Sequence, residues 1–133
     1  MTGDNRAANA RAEVVAARDA LRVAAAALGL GIRRDAMSRA YYAVFHAARA
    51  LLLLEGLEPK THARVGRMVG AHLVRTGKLD AHSGLVVTRL QAYRQASDYS
   101  YVFEIDEVEA KAEIAAAEVF VEQAAKTVAG SVL

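Results

Sequence analysis

The stretch Ala36 to Leu54, AMSRAYYAVFHAARALLLL, constrains the fold of this chain more than any other. Its apolar residues fall at Met37, Ala40, Tyr41, Val44, Phe45, Ala48, Leu51 and Leu52, the recurrence of an α-helix with a wide buried face. Period-two alternation is absent and alanine is the best helix former, which argues against a strand. Asp35 or Ser38 can cap the start, and Gly56 can take the left-handed conformation that ends it. A membrane span needs about 20 mostly apolar residues without charges, whereas Arg39, His46 and Arg49 interrupt this one. The stretch therefore reads as a central core helix, with Tyr41, Val44, Phe45, Ala48 and Leu52 inaccessible and the rest of the chain arranged to cover it.

A length of 133 residues suits one domain, 1–133, with a single core. One proline, no tryptophan and many alanines favour helices throughout. With no cysteine there is no disulfide, no thiol nucleophile and no thiolate metal site. The polar opening MTGDNRAANARAE has no apolar segment of a secretory signal, so a cytoplasmic protein is expected. The net charge of +2 hides an asymmetry. Residues 33–94 carry eleven Arg or Lys against four acids, and residues 95–133 carry two against eight. A basic middle suits an anionic partner, although the acidic last helix can also complement it within the fold.

Taken in order, Asp4 or Asn5 can cap a first helix that reaches about Leu28, with Val14, Ala17, Leu21, Ala24, Ala25 and Leu28 on one face. Gly29-Leu30-Gly31 stops it, and the short link turns the central helix back antiparallel. Pro59 pushes Glu58 out of helical geometry, so Gly56 to Lys60 is a loop. Thr61 caps a third helix to Thr76, with Val65, Met68, Val69, His72 and Leu73 inward and Gly77 closing it. Asp80 opens a fourth helix to about Asp98, burying Leu85, Val86, Leu90 and Tyr93. Asp106 with Glu109 forms an acidic capping box for a fifth helix to about Val128. Its inward face is expected at Val108, Ala112, Ala115, Ala116, Val119, Phe120 and Ala124. The expected fold is an all-α, antiparallel up-and-down bundle of about five helices.

Little in the chain carries chemistry by spacing alone. Gly29–Gly31 is a helix stop rather than a phosphate loop, because no strand precedes it. His46, His62, His72 and His82 do not pair at four-residue spacing with a carboxylate between, so no metal and no cofactor is expected. Two clusters remain. Arg39, Tyr42, His46, Arg49 and Leu53 share a stripe of the central helix, either a solvated rim or one wall of a ligand or dimer groove. Arg94 to Tyr101, RQASDYSY, ends the fourth helix. There Arg94 and Asp98 can pair one turn apart, as a plain helix-end ion pair or as a fixed guanidinium for phosphate with phenols beside it.

The segment SRAYYAVFHAARALLLLEGLEPKTHARVGRMVGAHLVRTGKL, followed by RQASDYSY, resembles the HEPN superfamily, the higher eukaryotes and prokaryotes nucleotide-binding domain. It looks closest to the small single-domain prokaryotic branch. The likeness runs from about Arg33 to Tyr101, with compatible first and last helices. It implies a helical bundle that usually forms a homodimer. It also implies kinship with metal-independent endoribonucleases, often toxins paired with a minimal nucleotidyltransferase antitoxin. The motif of the toxin branch is Arg-x-x-x-x-His-x-Tyr. Arg94 matches the arginine and Tyr101 the final tyrosine, while Tyr99 stands where the histidine would be. A phenol with a pKa of about 10 is a poor acid or base near neutral pH.

Two functions follow from that resemblance. One is a module, without catalysis or with little, that binds RNA, a nucleotide or a partner protein through an Arg94–Tyr101 cleft, with Asp98, Tyr99, His46 and Arg49 contributing. The other is a ribonuclease toxin in which Arg94 steadies the scissile phosphate and His46 or His62 moves the proton that Tyr99 does not. A structural helical adaptor is the third alternative. In the toxin branch the matching tyrosine can accept AMP from its partner enzyme, which makes Tyr101 the expected modification site.

Overall fold

The computed structural model describes residues 3–99 and 104–131, with nothing said of the side chains of Asp4 and Tyr99. Five α-helices occupy them, α1 Gly3–Gly29, α2 Arg33–Leu54, α3 His62–Val69, α4 Ala81–Tyr99 and α5 Glu107–Gly130, with no strand among the described residues. A turn of π-helix, Gly70–Val74, prolongs α3. The helix α2 packs against all four others and is the axis of an all-α bundle. Tyr41, Val44, Phe45, Ala48 and Leu52 are all buried, as the periodicity predicts. The buried side of α1 is Ala10, Val14, Ala17, Ala20 and Ala24, nearly all single methyl groups, which lets the backbones of α1 and α2 approach closely.

The helix ends follow local chemistry with two exceptions. Thr61 Oγ1 accepts from the Arg64 amide at 3.2 Å, Asp80 from the Ser83 amide at 2.7 Å and Asp106 from the Glu109 amide at 2.7 Å. The two hydrogen bonds from Ser83 hold the Asp80 carboxyl below its ordinary pKa. Neither Asp35 nor Ser38 caps α2, which begins at Arg33 behind Ile32 with no side-chain cap. Asp35 lies instead in the first turn, where the helix dipole favours an acid. Likewise α1 starts at Gly3, ahead of Asp4 and Asn5.

At the far end of α2, the Leu57 amide donates to the Leu52 carbonyl at 3.0 Å and that of Gly56 to the Leu53 carbonyl at 2.9 Å. This bond pair requires the left-handed backbone seen at Gly56, with φ +76°. A Cβ there would lie 3.1 Å from the Arg6 guanidinium. Gly56→Ala is therefore expected to cost about 1–2 kcal/mol from the backbone conformation, with the Arg6 contact adding to it, measured by denaturant unfolding.

Helix phase is where the structure departs from the periodicity. The core face of α5 is Ala110, Ile114, Ala117, Phe120, Val121, Ala124 and Val128, whereas Val108, Ala112, Ala115 and Val119 face solvent. Alanines surround the whole of α5, so two faces are nearly equally apolar and the large residues choose between them. Ile114 and Val121 outweigh Val108 and Val119 because they meet α2. Ala25 of α1 and Leu85 of α4 are exposed as well. His72 points to solvent because the π-turn, with the Arg75 amide reaching the Gly70 carbonyl at 3.1 Å, inserts one residue into the helical count. Leu73 stays buried and His72 leaves the face.

Between the last two helices, Arg89 Nε donates to both oxygens of Glu113 at 2.9 and 2.7 Å. The Arg34 guanidinium donates to the Ser97 carbonyl, tying the start of α2 to the end of α4. That end carries Arg94.

Candidate functional site

Three elements converge on one polar and aromatic cluster. From α2 come Tyr41, Tyr42, Phe45, His46 and Arg49, on neighbouring turns of one side. His62 opens α3, where buried Pro59 and the Thr61 cap set the chain's approach. Arg94 arrives from α4.

The Arg94 guanidinium carbon lies 5.6 Å from the ring centroids of both Tyr41 and Tyr42, and Nη2 donates to the Tyr42 hydroxyl at 3.4 Å. Its Nε is 3.0 Å from Asp98 Oδ2, as the four-residue spacing predicts. That approach balances charge without hydrogen-bond alignment, so the buried Nε–H keeps an unsatisfied donor. A guanidinium caged by two adjoining rings and Asp98, with Nη1 making no hydrogen bond among the described residues, suits an oxyanion that arrives from outside.

His62 ties this cage to the rest of the cluster. Its Nδ1 lies 2.8 Å from the Tyr41 hydroxyl, and its ring stacks on Phe45 at 4.1 Å between centroids. Among the described residues its Nε2 has no hydrogen-bond partner. Burial lowers the His62 pKa, and the positive charge of Arg94 and the nearby His46 and Arg49 lower it further, so the ring is neutral at pH 7. Burial also pushes the Tyr41 phenol up to about 12, against the opposing pull of Arg94, and it keeps its proton.

Because an unfolded histidine takes a proton at about pH 6.5 and folded His62 resists it, the unfolded state binds the proton first as pH falls. The stability that His62 contributes is complete above that pH and declines below it. His62→Gln should flatten the fall in unfolding free energy between about pH 7 and 5, and a variant with the wild-type slope would contradict this account.

The second half of the α2 stripe is anchored on α1. His46 Nδ1 lies 2.7 Å from Glu13 Oε2, and Arg49 Nη1 lies 3.4 Å from Glu13 Oε1. His46 and Arg49 are thus half-buried on the wall that the stripe suggests, whereas Arg39 is exposed and Leu53 sits in the core. Tyr99 is the last residue of α4, and its side chain falls outside the described structure. Tyr101 falls outside the described residues, so the cleft ascribed to Arg94–Tyr101 is seen only from its Arg94 side.

The aromatic walls were hidden by the core pattern. Tyr41 is buried like any core residue, yet its hydroxyl reaches His62, and periodicity reads burial without seeing where a hydroxyl ends. Glu13 was hidden for a different reason, since its partners lie on another helix. Among the described residues no three His, Asp or Glu side chains gather to hold a metal ion, and no helix is long and apolar enough to cross a membrane.

Comparison with known proteins agrees with this architecture. The HEPN domain family matches residues 12–127. The chain is 42% identical over 93 residues to "Putative toxin MJ0605" of Methanocaldococcus jannaschii, covering 70% of this chain and 69% of that protein. A UPF0332 protein of Thermotoga maritima is 33% identical over 94 residues, or 71% of each chain. The likeness to a UPF0332 protein of Pyrococcus horikoshii is higher, 54%, but spans only 50 residues, 38% of this chain and 35% of that one. With the family spanning all five helices and a relative aligned over two thirds of its length, the chain belongs to the HEPN domain family.

Proposed function

We propose that this chain is a toxin-like HEPN protein that binds single-stranded RNA, with Arg94 holding a backbone phosphate. The observation that carries the reading is the Arg94 guanidinium, held against Tyr41 and Tyr42, whose Nη1 makes no hydrogen bond among the described residues. Neutral His62 supplies a second donor: with Tyr41 donating to Nδ1, the proton sits on Nε2 and points away from the core contact. Relatives named as toxins point the same way. The test is RNA binding by the purified protein, wild type against Arg94→Ala, followed by fluorescence anisotropy.

Cleavage of that RNA would fall to His62 in place of Tyr99: its lowered pKa keeps the ring unprotonated near pH 7, as a weaker base than a free imidazole. It requires the other tautomer, with Nδ1–H donating to the Tyr41 oxygen and the Nε2 lone pair free to take the ribose 2′-hydroxyl proton as the 2′-oxygen bonds to phosphorus. The P–O5′ bond breaks meanwhile, and the leaving 5′-oxygen takes a proton from water. Under this reading His62→Gln loses cleavage at least 100-fold while RNA still binds, as expected for removal of a general base. Equal cleavage by both proteins would end the ribonuclease reading.

The HEPN membership also supports a homodimer and a nucleotidyltransferase partner. A dimer interface should exceed about 1,000 Å² in total, and sedimentation at micromolar concentration would reveal it. AMP transferred to Tyr101 would place a phosphodiester near Arg94 and compete with RNA for it. Incubation with such an enzyme and ATP should add the mass of one AMP, and the gain should vanish in Tyr101→Phe.

A further inference from the structure

Beside the Arg94 cage a separate cleft of about 380 Å³ opens between α2 and the loop that leads into α3. Phe45, Arg49, Glu58, Lys60 and His62 line it. The size suits a small ligand or one nucleotide unit. His62 belongs to both places, with its Nδ1 on Tyr41 beneath the cage and its ring forming part of the cleft wall.

Arg49 is the unusual member. Its side chain is only 28% exposed, and among the described residues it makes no hydrogen bond. Glu13 balances its charge with Oε1 at 3.4 Å from Arg49 Nη1, while its Oε2 lies 2.7 Å from His46 Nδ1. Lys60, exposed on the loop, pairs with no acid among the described residues. Among the described residues, Glu58 is the one acid lining the cleft, against two permanent cations. The stacked Phe45–His62 pair adds an aromatic wall.

We propose that this cleft is a second phosphate subsite, which takes the phosphate of a nucleotide neighbouring the one held at Arg94. The inference rests on the RNA-binding reading and deepens it, since the ligand becomes an extended strand rather than a single nucleotide. Arg49 and Lys60 grip the second phosphate, and the Phe45–His62 stack offers a face or edge for a base between the two grips. Glu58 repels the backbone and tunes the affinity downward.

The experiment compares a labelled uridine dinucleotide, which has one phosphodiester and fills only one subsite, with a hexanucleotide that reaches both. Binding is read by anisotropy over a range of salt, with native helicity checked by circular dichroism. Arg49→Ala and Lys60→Ala should each lower the hexanucleotide-to-dinucleotide affinity ratio roughly tenfold, and each should reduce the salt slope by about 0.7. Glu58→Gln should raise the ratio. A general loss of folding weakens both oligonucleotides and leaves the ratio intact, and Lys60 on its exposed loop tests the subsite without touching the core. A ratio unchanged in both Arg49→Ala and Lys60→Ala overturns the second subsite, while Arg94→Ala still weakens binding of both oligonucleotides. Failure of the wild-type protein to bind either oligonucleotide overturns the RNA reading, and this one with it.

Discussion

Replacing Arg94 with alanine is expected to weaken binding of single-stranded RNA by roughly 10- to 100-fold while leaving the fold intact. The magnitude is that of a hydrogen bond to a charged group, about 1.5–3 kcal/mol. Binding suffers because Arg94 Nη1 makes no hydrogen bond among the described residues, and the phosphate loses that donor and the charge behind it. Stability suffers less. Asp98, the acid left behind, is 38% exposed and is solvated without its partner. Contacts between the guanidinium and the two tyrosines are lost too, a cost of about 1 kcal/mol at such a partly exposed site. Arg94→Lys should recover only part of the binding, since a lysine has no planar fork to lie against Tyr41 and Tyr42 and face a phosphate at once. A collapse of the melting temperature with RNA affinity untouched would make Arg94 a structural residue.

The largest stability effect is expected at Leu52, fully buried on the axis of the bundle. Leu52→Ala should cost about 2–5 kcal/mol, the lost transfer energy plus the cavity left behind. That is a fall in melting temperature of roughly 10 °C or more for a chain of this size. Val119→Ala on α5 is the informative comparison. The sequence pattern puts Val119 in the core, but the residue is 59% exposed, so the change should stay within about 0.5 kcal/mol. Equal losses at the two positions would restore the phase of α5 that the pattern suggests. Both are read from chemical denaturation monitored by helicity.

Much of the fold was legible in the sequence because its signals are local. The helix α2 announces itself by large side chains at helical spacing, and Met37, Tyr41, Phe45 and Leu52 leave no second face to choose. Caps at Thr61, Asp80 and Asp106 and the glycine after α2 depend on a few neighbouring backbone groups, so residue type decides them. Arg94 and Asp98 meet because one helical turn places them together.

Tertiary structure decided what depends on partners distant in the chain. The phase of α5 turns on which face meets α2, and alanines on every side leave the local pattern nearly degenerate. His72 was turned outward by one inserted residue in the π-turn, a backbone choice that α3 shares with its packing against α4. The site was decided the same way. His62 and Tyr41 are separated by a loop, Arg94 comes from a third element and Glu13 from a fourth. Hydrogen bonds and ring contacts act over a few ångströms, so only the folded chain determines which of these polar groups meet and which donors remain unsatisfied.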